Sequence, residues 1–433
     1  MTTVNAALGS ACGRLDVMGG ITDYSGGLVI QKLLKESTTI AFTPRSDGRC
    51  VFASNCFGEL RSAEVQLSEL LQQGKPVLSH SFDFFNANPD IKWVSYIAGC
   101  FLVLMKEIDL NFHGGEFKIE SSVPLGKGVS SSAALEMATM RALRAHFQFN
   151  QSELLLAEWA QVAENEVAGA PCGLMDQLSS AFGEHGKLLP ILCQPNQVKV
   201  PVEIPDSIHF VGLDSGHRHS VGDSPYALAR CATNMGFTMI LLEDESMVSR
   251  INQFRRSGDR ALLPFNGYLC NLNHGDFFLR YLSRIPEKMT GQEFISRFGN
   301  HTDLVTKIEP DKIYPVRACA AHAVADHKRT HDFLNALSQL DANPRNGSSL
   351  LGKLMLESHR GYSECGLGSR YTDRIIRLAL EAGSNVIAGG RISGGGSGGT
   401  VALLVIGQEG LDAVLKIKQT LEQEWGKELS LFL

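Results

Sequence analysis

None of the ten cysteines in this 433-residue chain forms a CxxC pair. Neither a zinc ribbon nor a disulfide scaffold is therefore suggested. The cysteines, scattered from Cys12 to Cys365, read as small core hydrophobes in a reducing, cytoplasmic setting. There is no excess of positive charge. Forty Lys+Arg against 46 Asp+Glu leave −6, which offers no general attraction to nucleic acid or to an anionic membrane. No apolar run is long enough to cross a bilayer; the longest lies around Tyr96–Met105. Met1–Gly13 lacks a basic region and a long apolar stretch, so it does not read as a signal peptide. No repeat, low-complexity tract or Pro/Ser-rich linker is present. With 44% hydrophobic and 20% charged residues, wholesale disorder is excluded, and the length suits about two or three domains.

What the chain has in excess is glycine: 43 residues, about 10% against a usual value of roughly 7%. They concentrate in three clusters. The second, Pro124-Leu-Gly-Lys-Gly-Val-Ser-Ser-Ser-Ala133, follows an alternating strand, Phe117–Val123, and precedes a helical stripe through Ala134, Leu135, Met137, Ala138 and Met140. Unpaired N–H groups at such a helix start favour an anion. Gly126 and Gly128 let the backbone approach a phosphate closely, and Ser130, Ser131 and Ser132 can cap the helix or ligate a metal. The first cluster, Gly13-Arg-Leu-Asp-Val-Met-Gly-Gly-Ile-Thr-Asp-Tyr24, sets Arg14, Asp16 and Asp23 among glycines. It suits a polyol and a transferring phosphate, or equally a polar hairpin. Asp176 is an isolated carboxylate among apolar neighbours after Pro171. It could act as a general base beside an arginine, or cap a helix.

Other matches carry less. Gly347-Ser-Ser-Leu-Leu-Gly-Lys353 begins like a P-loop, but Leu354 stands where Ser or Thr must hold Mg²⁺. The third cluster, Gly389–Thr400, contains a GxGxxG that leads into a strand, the wrong context for a dinucleotide fingerprint. His217/His219 and His327/His331 lack an HExxH partner, and the second pair reads as a solvated helix face.

The coarse pattern alternates without a regular βαβα beat. Strands are expected at Leu28–Ile30, Thr38–Thr43, Phe117–Val123, Pro190–Val200, His209–Asp214 and Val401–Ile406. Helices are expected at Ser132–Phe147, Gln151–Ala168, within Asn234–Leu282, at Ala318–Leu340 and at Leu411–Trp425. The class is α+β in two lobes, residues 1–205 and 206–433.

The three clusters, in this order, resemble the motifs of the GHMP small-molecule kinases, and within them the galactokinase branch. Gly13–Tyr24 resembles that family's Gly-Arg-x-Asn-x-Ile-Gly-Glu-His-Thr-Asp-Tyr motif. Pro124–Ala133 resembles its phosphate motif. Ser393–Gly399, with Gly394, Gly395 and Gly396, resembles its third motif with Ser in place of Thr. The resemblance implies a ribosomal protein S5 domain 2-like N-terminal lobe and a ferredoxin-like C-terminal lobe. It implies ATP and Mg²⁺ as cofactors, a small-molecule sugar as partner, and transfer to the anomeric hydroxyl. By the same carry-over Asp176 and Arg14 are catalytic, Ser132 and Glu164 hold magnesium, and Asp23 and Tyr226 bind the sugar.

Two departures bear on the substrate. Gly20 and Ile21 replace the family's Glu-His, which is associated with the hydroxymethyl group of galactose, and Asp16 replaces Asn. Together with Cys365–Ser369 and Asp214–Ser220, they make the chain most similar to arabinokinase-type members, with L-arabinose the expected sugar. Galactokinase activity, or a non-catalytic sugar and ATP sensor, stays open at this point.

Overall fold

In the computed structural model, residues 6–56, 59–217, 225–340 and 344–433 are described. The first strand, β1 (Ala7–Met18), is one that composition hides, because Ala, Gly and Ser fill its first half. The expected strands at 28–30 and 38–43 are the two ends of one strand, β2 (Leu28–Pro44). Each end has its own partner, which keeps the polar middle extended. β1 pairs with β2.

The chain forms two compact units, one of residues up to 14 with 33–185, the other of 15–32 with 186–433. The chain therefore passes between units inside β1 and again inside β2. In the first unit, β3 (Arg49–Cys56) and β4 (Glu59–Gln66) form a hairpin. β3 runs parallel to β5 (Gly115–Ser121), which pairs antiparallel with Thr38–Pro44 of β2. Helices α1 (Ser95–Ile108), α2 (Ser131–Phe147), α3 (Glu153–Ala163) and α4 (Met175–Phe182) belong to this unit. Its core holds an aromatic cluster in which Phe101 stacks on Phe112 at 4.4 Å and Phe42 meets Phe117 at 4.9 Å. Burial on this scale is the main stabilising term, about 25 cal/mol per Å² of apolar surface.

In the second unit, β6 (Lys187–Leu192) pairs with Leu28–Lys32 of β2. β7 (Ile208–Asp214) belongs to a four-stranded antiparallel sheet with three strands from the end of the chain. The helices include α5 (Pro225–Leu241), α6 (Val316–Ser338), α7 (Pro344–Glu364) and α8 (Arg370–Glu381). The remaining strands are β8 (Ile387–Ile392), β9 (Thr400–Ile406) and β10 (Leu431–Phe432), with α9 (Gly407–Trp425) between the last two. The sheet order is β8-β9-β7-β10. β9 is buried almost throughout, as its continuous apolar run requires. The glycine-rich β8 was hidden by composition, since glycine is depleted in strands.

Three expectations are refined. The helical region from Asn234 breaks after Leu241 and again after Ser257, where Gly258, Pro264 and Gly267 end regular helix. The P-loop look-alike lies inside α7. There a Cβ on Gly352 would press into the backbone of Ala388 and Gly389, so this glycine serves close helix–strand packing. His331 is exposed as expected, but His327 is half-buried and its Nδ1 accepts the Leu28 N–H at 2.9 Å. His217 is described, but His219 and Ser220 lie outside the described residues.

Burial pushes the His327 imidazole down to about 4, against about 6.5 in an unfolded chain. The unfolded state then binds the extra proton first, so this contribution is present above pH 6.5 and is lost as pH falls toward 4. His327→Gln retains an acceptor for Leu28 but cannot titrate. Denaturant unfolding at pH 7 and pH 5 should show the variant losing about 1–2 kcal/mol less than the parent on acidification. Equal losses would remove His327 from the acid response.

Candidate active site

In the first unit, β1 carries Arg14 into a buried position, 2% exposed. Its backbone N–H donates to the Val129 carbonyl at 3.1 Å, and its Nη1 donates to the Gly128 carbonyl at 2.8 Å. Arg14 is thus tied to the glycine-serine loop by both its backbone and its guanidinium. Nε and Nη2 both donate to Oδ1 of Asp176, at 2.9 and 2.7 Å. Asp176 sits in the first turn of α4 and keeps 19% side-chain exposure, against 3% for Arg14. One oxygen is held, and the carboxylate retains access to a ligand. These two residues, 162 apart in sequence, were singled out separately and meet here.

The loop between β5 and α2 has left-handed backbone at Gly126 (φ 69°), Gly128 (φ 73°) and Ser130 (φ 59°). Alternation of this kind turns successive N–H groups toward one concavity, an arrangement that suits an anion. Gly126 is exposed and Gly128 half-buried, so ligand can reach the loop. The Ser130 hydroxyl is buried without a hydrogen-bond partner among the described residues. Such an orphan costs free energy unless a ligand or water satisfies it. Ser131 opens the helix, and Ser132 follows in its first turn.

The helix expected over Gln151–Ala168 changes character at Glu164. α3 ends at Ala163, and Glu164–Ala168 is a single π-helical turn, a form that recurs at functional sites. The Glu164 carboxylate accepts from Gln177 Nε2 at 2.7 Å, and the Ser132 hydroxyl beside it acts to lower its pKa. The same amide nitrogen donates to Glu136 Oε2 at 3.0 Å. Burial pushes Glu164 up to about 7, opposed by the Ser132 hydroxyl and reinforced by the negative charge of Asp176. Burial, with the Glu164 charge second, pushes Glu136 well above the usual carboxylate range. Sequence reasoning missed Glu136 and Gln177. A carboxylate in the buried stripe between Ala133 and Met137 was the available signal.

A cavity of about 350 Å³ adjoins this loop, lined by Trp93, Tyr96, Ile119, Leu125, Leu135, Gly126 and Ser132, with the hydroxyls of Thr38, Ser54 and Ser121 and with Arg61. Apolar and aromatic walls with a few hydroxyls suit a planar heterocycle. Trp93 and Tyr96 lie before the glycine cluster and gave no motif.

In the second unit, Gly20–Ser25 form a buried 3₁₀ turn. Asp16 beneath it is wholly buried. Its Oδ1 accepts from Gln31 at 3.0 Å and from the Gly20 N–H at 3.3 Å, while Oδ2 accepts from Arg391 at 2.9 Å and the Gly394 N–H at 3.2 Å. Burial opposes the Arg391 charge, but the Asp16 carboxylate outweighs it and holds the guanidinium above its ordinary pKa. Gly394, Gly395 and Gly396 link β8 to β9, with Gly394 and Gly396 left-handed. Ile21 is 2% exposed. Asp23 accepts the Tyr24 N–H at 2.7 Å. The Tyr24 ring meets Tyr226 edge to face at 5.8 Å and lies under the Arg230 guanidinium at 5.6 Å. Arg230 is fixed by a bidentate, buried pair with Asp303, at 2.8 and 2.9 Å. Burial alone would raise the Asp303 carboxyl, but Arg230 brings it down to about 2.

The sequence profile of the GHMP kinases N terminal domain matches residues 95–184, which hold the loop, Glu164 and Asp176. That of the GHMP kinases C terminal domain matches residues 339–427, which hold Arg391 and the third cluster. The chain belongs to the GHMP kinase family. Within it the chain is galactokinase-like. It is 35% identical to L-arabinokinase of Arabidopsis thaliana over 94% of its own length, and spans 44% of that relative. It is 29% identical to a galactokinase of Chloroflexus aggregans, over 91% of this chain and 83% of the other. The galactose complex of Lactococcus lactis galactokinase superposes with a TM-score of 0.68 at 20% identity, covering 99% of this chain and 93% of that one. Methanococcus jannaschii mevalonate kinase superposes with a TM-score of 0.56 at 14% identity, covering 99% of this chain and 98% of that one. The fold is the two-domain GHMP kinase fold. No helix among the described residues is long and apolar enough to cross a membrane.

GHMP kinases use ATP, and the first unit fits that nucleotide. The orphaned Ser130 hydroxyl and the left-handed glycines suit its phosphates, and the aromatic cavity suits its base. Ser132 and Glu164 are hard oxygen donors of the kind Mg²⁺ takes alongside nucleotide phosphates. Ser132→Ala and Glu164→Ala should each weaken Mn²⁺ binding in the presence of ADP by about tenfold or more, read by electron paramagnetic resonance. If Ser132 merely caps a helix, its loss costs only ~1 kcal/mol of stability and leaves metal affinity unchanged.

Proposed function

We propose that this protein is an ATP-dependent sugar 1-kinase whose preferred substrate is L-arabinose, giving L-arabinose 1-phosphate. The observation that carries the reading is the Arg14–Asp176 pair, with both guanidinium bonds on one carboxylate oxygen and a third on the phosphate loop. Phosphoryl transfer asks a protein chiefly to position the reactants and to stabilise charge. Asp176 accepts or orients the proton of the anomeric hydroxyl. Arg14 holds that carboxylate and, through the Gly128 carbonyl, fixes it relative to the loop. The backbone of Gly126–Ser132 cradles the nucleotide phosphates, and Trp93 and Tyr96 receive the base. Mg²⁺, when held by Ser132 and Glu164, supplies neutralising charge to those phosphates. Asp23 and Tyr226 bind ring hydroxyls.

The choice of L-arabinose rests on the 35% identity to the plant L-arabinokinase and on Gly20–Ile21. L-Arabinose shares the ring hydroxyls of D-galactose but lacks its hydroxymethyl arm. Gly20 offers that arm no side chain and Ile21 only an apolar one, so its hydroxyl would lose water without gaining a partner, a cost of about 1–3 kcal/mol. An apolar site rejects an extra hydroxyl by no more than about 100-fold, so the expected outcome is preference.

Two measurements test this. First, kcat/KM for L-arabinose should exceed that for D-galactose by about 10- to 100-fold, with D-galacturonate poorer still; galactose equal or better would return the plain galactokinase reading. Second, Asp176→Asn should lower kcat by about 10²–10⁴ with ATP affinity nearly unchanged. Turnover within about threefold of the parent would remove the general-base role, whereas a parent that releases no ADP with any of these sugars would leave the sensor reading in force.

A further inference from the structure

Gly20 has φ +40°, and a Cβ added there would overlap the Tyr362 hydroxyl oxygen while lying 2.6 Å from Asp16 Oδ2 and 2.7 Å from Arg391 Nη2. Tyr362, on α7, is fully buried. Its hydroxyl accepts the Ile21 N–H at 2.9 Å and donates to the Gly394 carbonyl at 3.0 Å. Its ring covers the Arg391 guanidinium at 4.8 Å. Arg391 is also fully buried, and its Nε and Nη2 have no hydrogen-bond partner among the described residues. Nη2 is the guanidinium atom that borders the space beside Gly20. That space is therefore already occupied, by a phenol whose two bonds fix the backbone at Ile21 and at Gly394. A side chain at position 20 and a phenol at position 362 are alternatives for the same volume.

We propose that Tyr362 is a positioning residue that sets sugar specificity. By filling the space beside Gly20 and holding the Ile21 N–H, it keeps the loop on a path with no side chain at 20. That path favours a pentopyranose over the hexose with the same ring hydroxyls. The inference rests on the sugar-kinase reading, in which Gly20–Asp23 face the sugar. Selectivity at this point then comes from where the backbone is held, through a residue 341 positions away from Ile21, and not from a side chain that touches the substrate.

The test is kcat/KM for L-arabinose and D-galactose with the parent, Tyr362→Phe and Tyr362→Leu, alongside ADP affinity measured without sugar. Tyr362→Leu empties the volume and should lower the arabinose-to-galactose ratio about tenfold or more. The change should fall mainly on sugar KM, with ADP affinity within about threefold of the parent. Tyr362→Phe keeps the ring but frees the Ile21 N–H and the Gly394 carbonyl, and should move the ratio part of the way. Parallel losses for both sugars, with the ratio unchanged in both variants, would overturn the proposal. A parent that phosphorylates neither sugar would instead fail the sugar-kinase reading itself. The shared volume is tested without activity by melting Gly20→Ala in the parent and in the Tyr362→Leu background. The glycine substitution should cost clearly less in the second, and additive losses would overturn the exclusion.

Discussion

A single buried carboxylate, Asp16, organises the second unit. It is wholly desolvated and accepts from four donors: the Gln31 amide, the Arg391 guanidinium, and the backbone N–H groups of Gly20 and Gly394. Two of these lie in the first glycine cluster's neighbourhood and two in the third's. A buried ion pair of this kind contributes little net stability, yet removing one partner leaves an uncompensated charge at a cost of about 3–5 kcal/mol. The constraint is therefore one of geometry: the 3₁₀ turn at Gly20 and the third glycine turn are registered on one carboxylate. Asp at 16 where related kinases carry Asn suits this arrangement, because only a carboxylate neutralises a fully buried guanidinium.

The same strand that carries Asp16 carries Arg14 two residues earlier, in the first unit. There the geometry is reversed in purpose. Arg14 is buried and saturated, while Asp176 keeps part of its surface accessible. One pair closes a scaffold, and the other leaves a carboxylate partly exposed. The difference lies in exposure, not in bond length, since the contacts are similar in both.

Much of the candidate site was legible in the sequence because turns and anion sites demand particular residues. Gly126, Gly128 and the serines announced a turn before the helix, and the backbone is left-handed at three of its positions. Arg14 and Asp176 were paired only through the family resemblance, since 162 residues separate them and no local pattern links them. Gln177, Glu136, Trp93 and Tyr96 were not legible. Each lies on a helix or 3₁₀ turn whose pattern is satisfied by neighbouring apolar residues, and only tertiary packing turns them toward the loop. Tyr362, on α7, was hidden for the same reason, and Arg391 was hidden by the glycines around it in β8. Among fold elements, β1 and β8 escaped notice because small residues dominate them, where close backbone approach matters more than side-chain preference. His327 misled in the other direction: its charged neighbours suggested solvent, but its ring caps the Leu28 N–H.

The most direct measurement is ³¹P NMR of the product formed from MgATP and L-arabinose. A sugar 1-kinase of this design gives one phosphomonoester signal, split by coupling to the anomeric proton, in amount equal to the ADP released. ADP without that signal, or a phosphate coupled to any other ring position, would contradict the assignment of Asp176 to the anomeric hydroxyl.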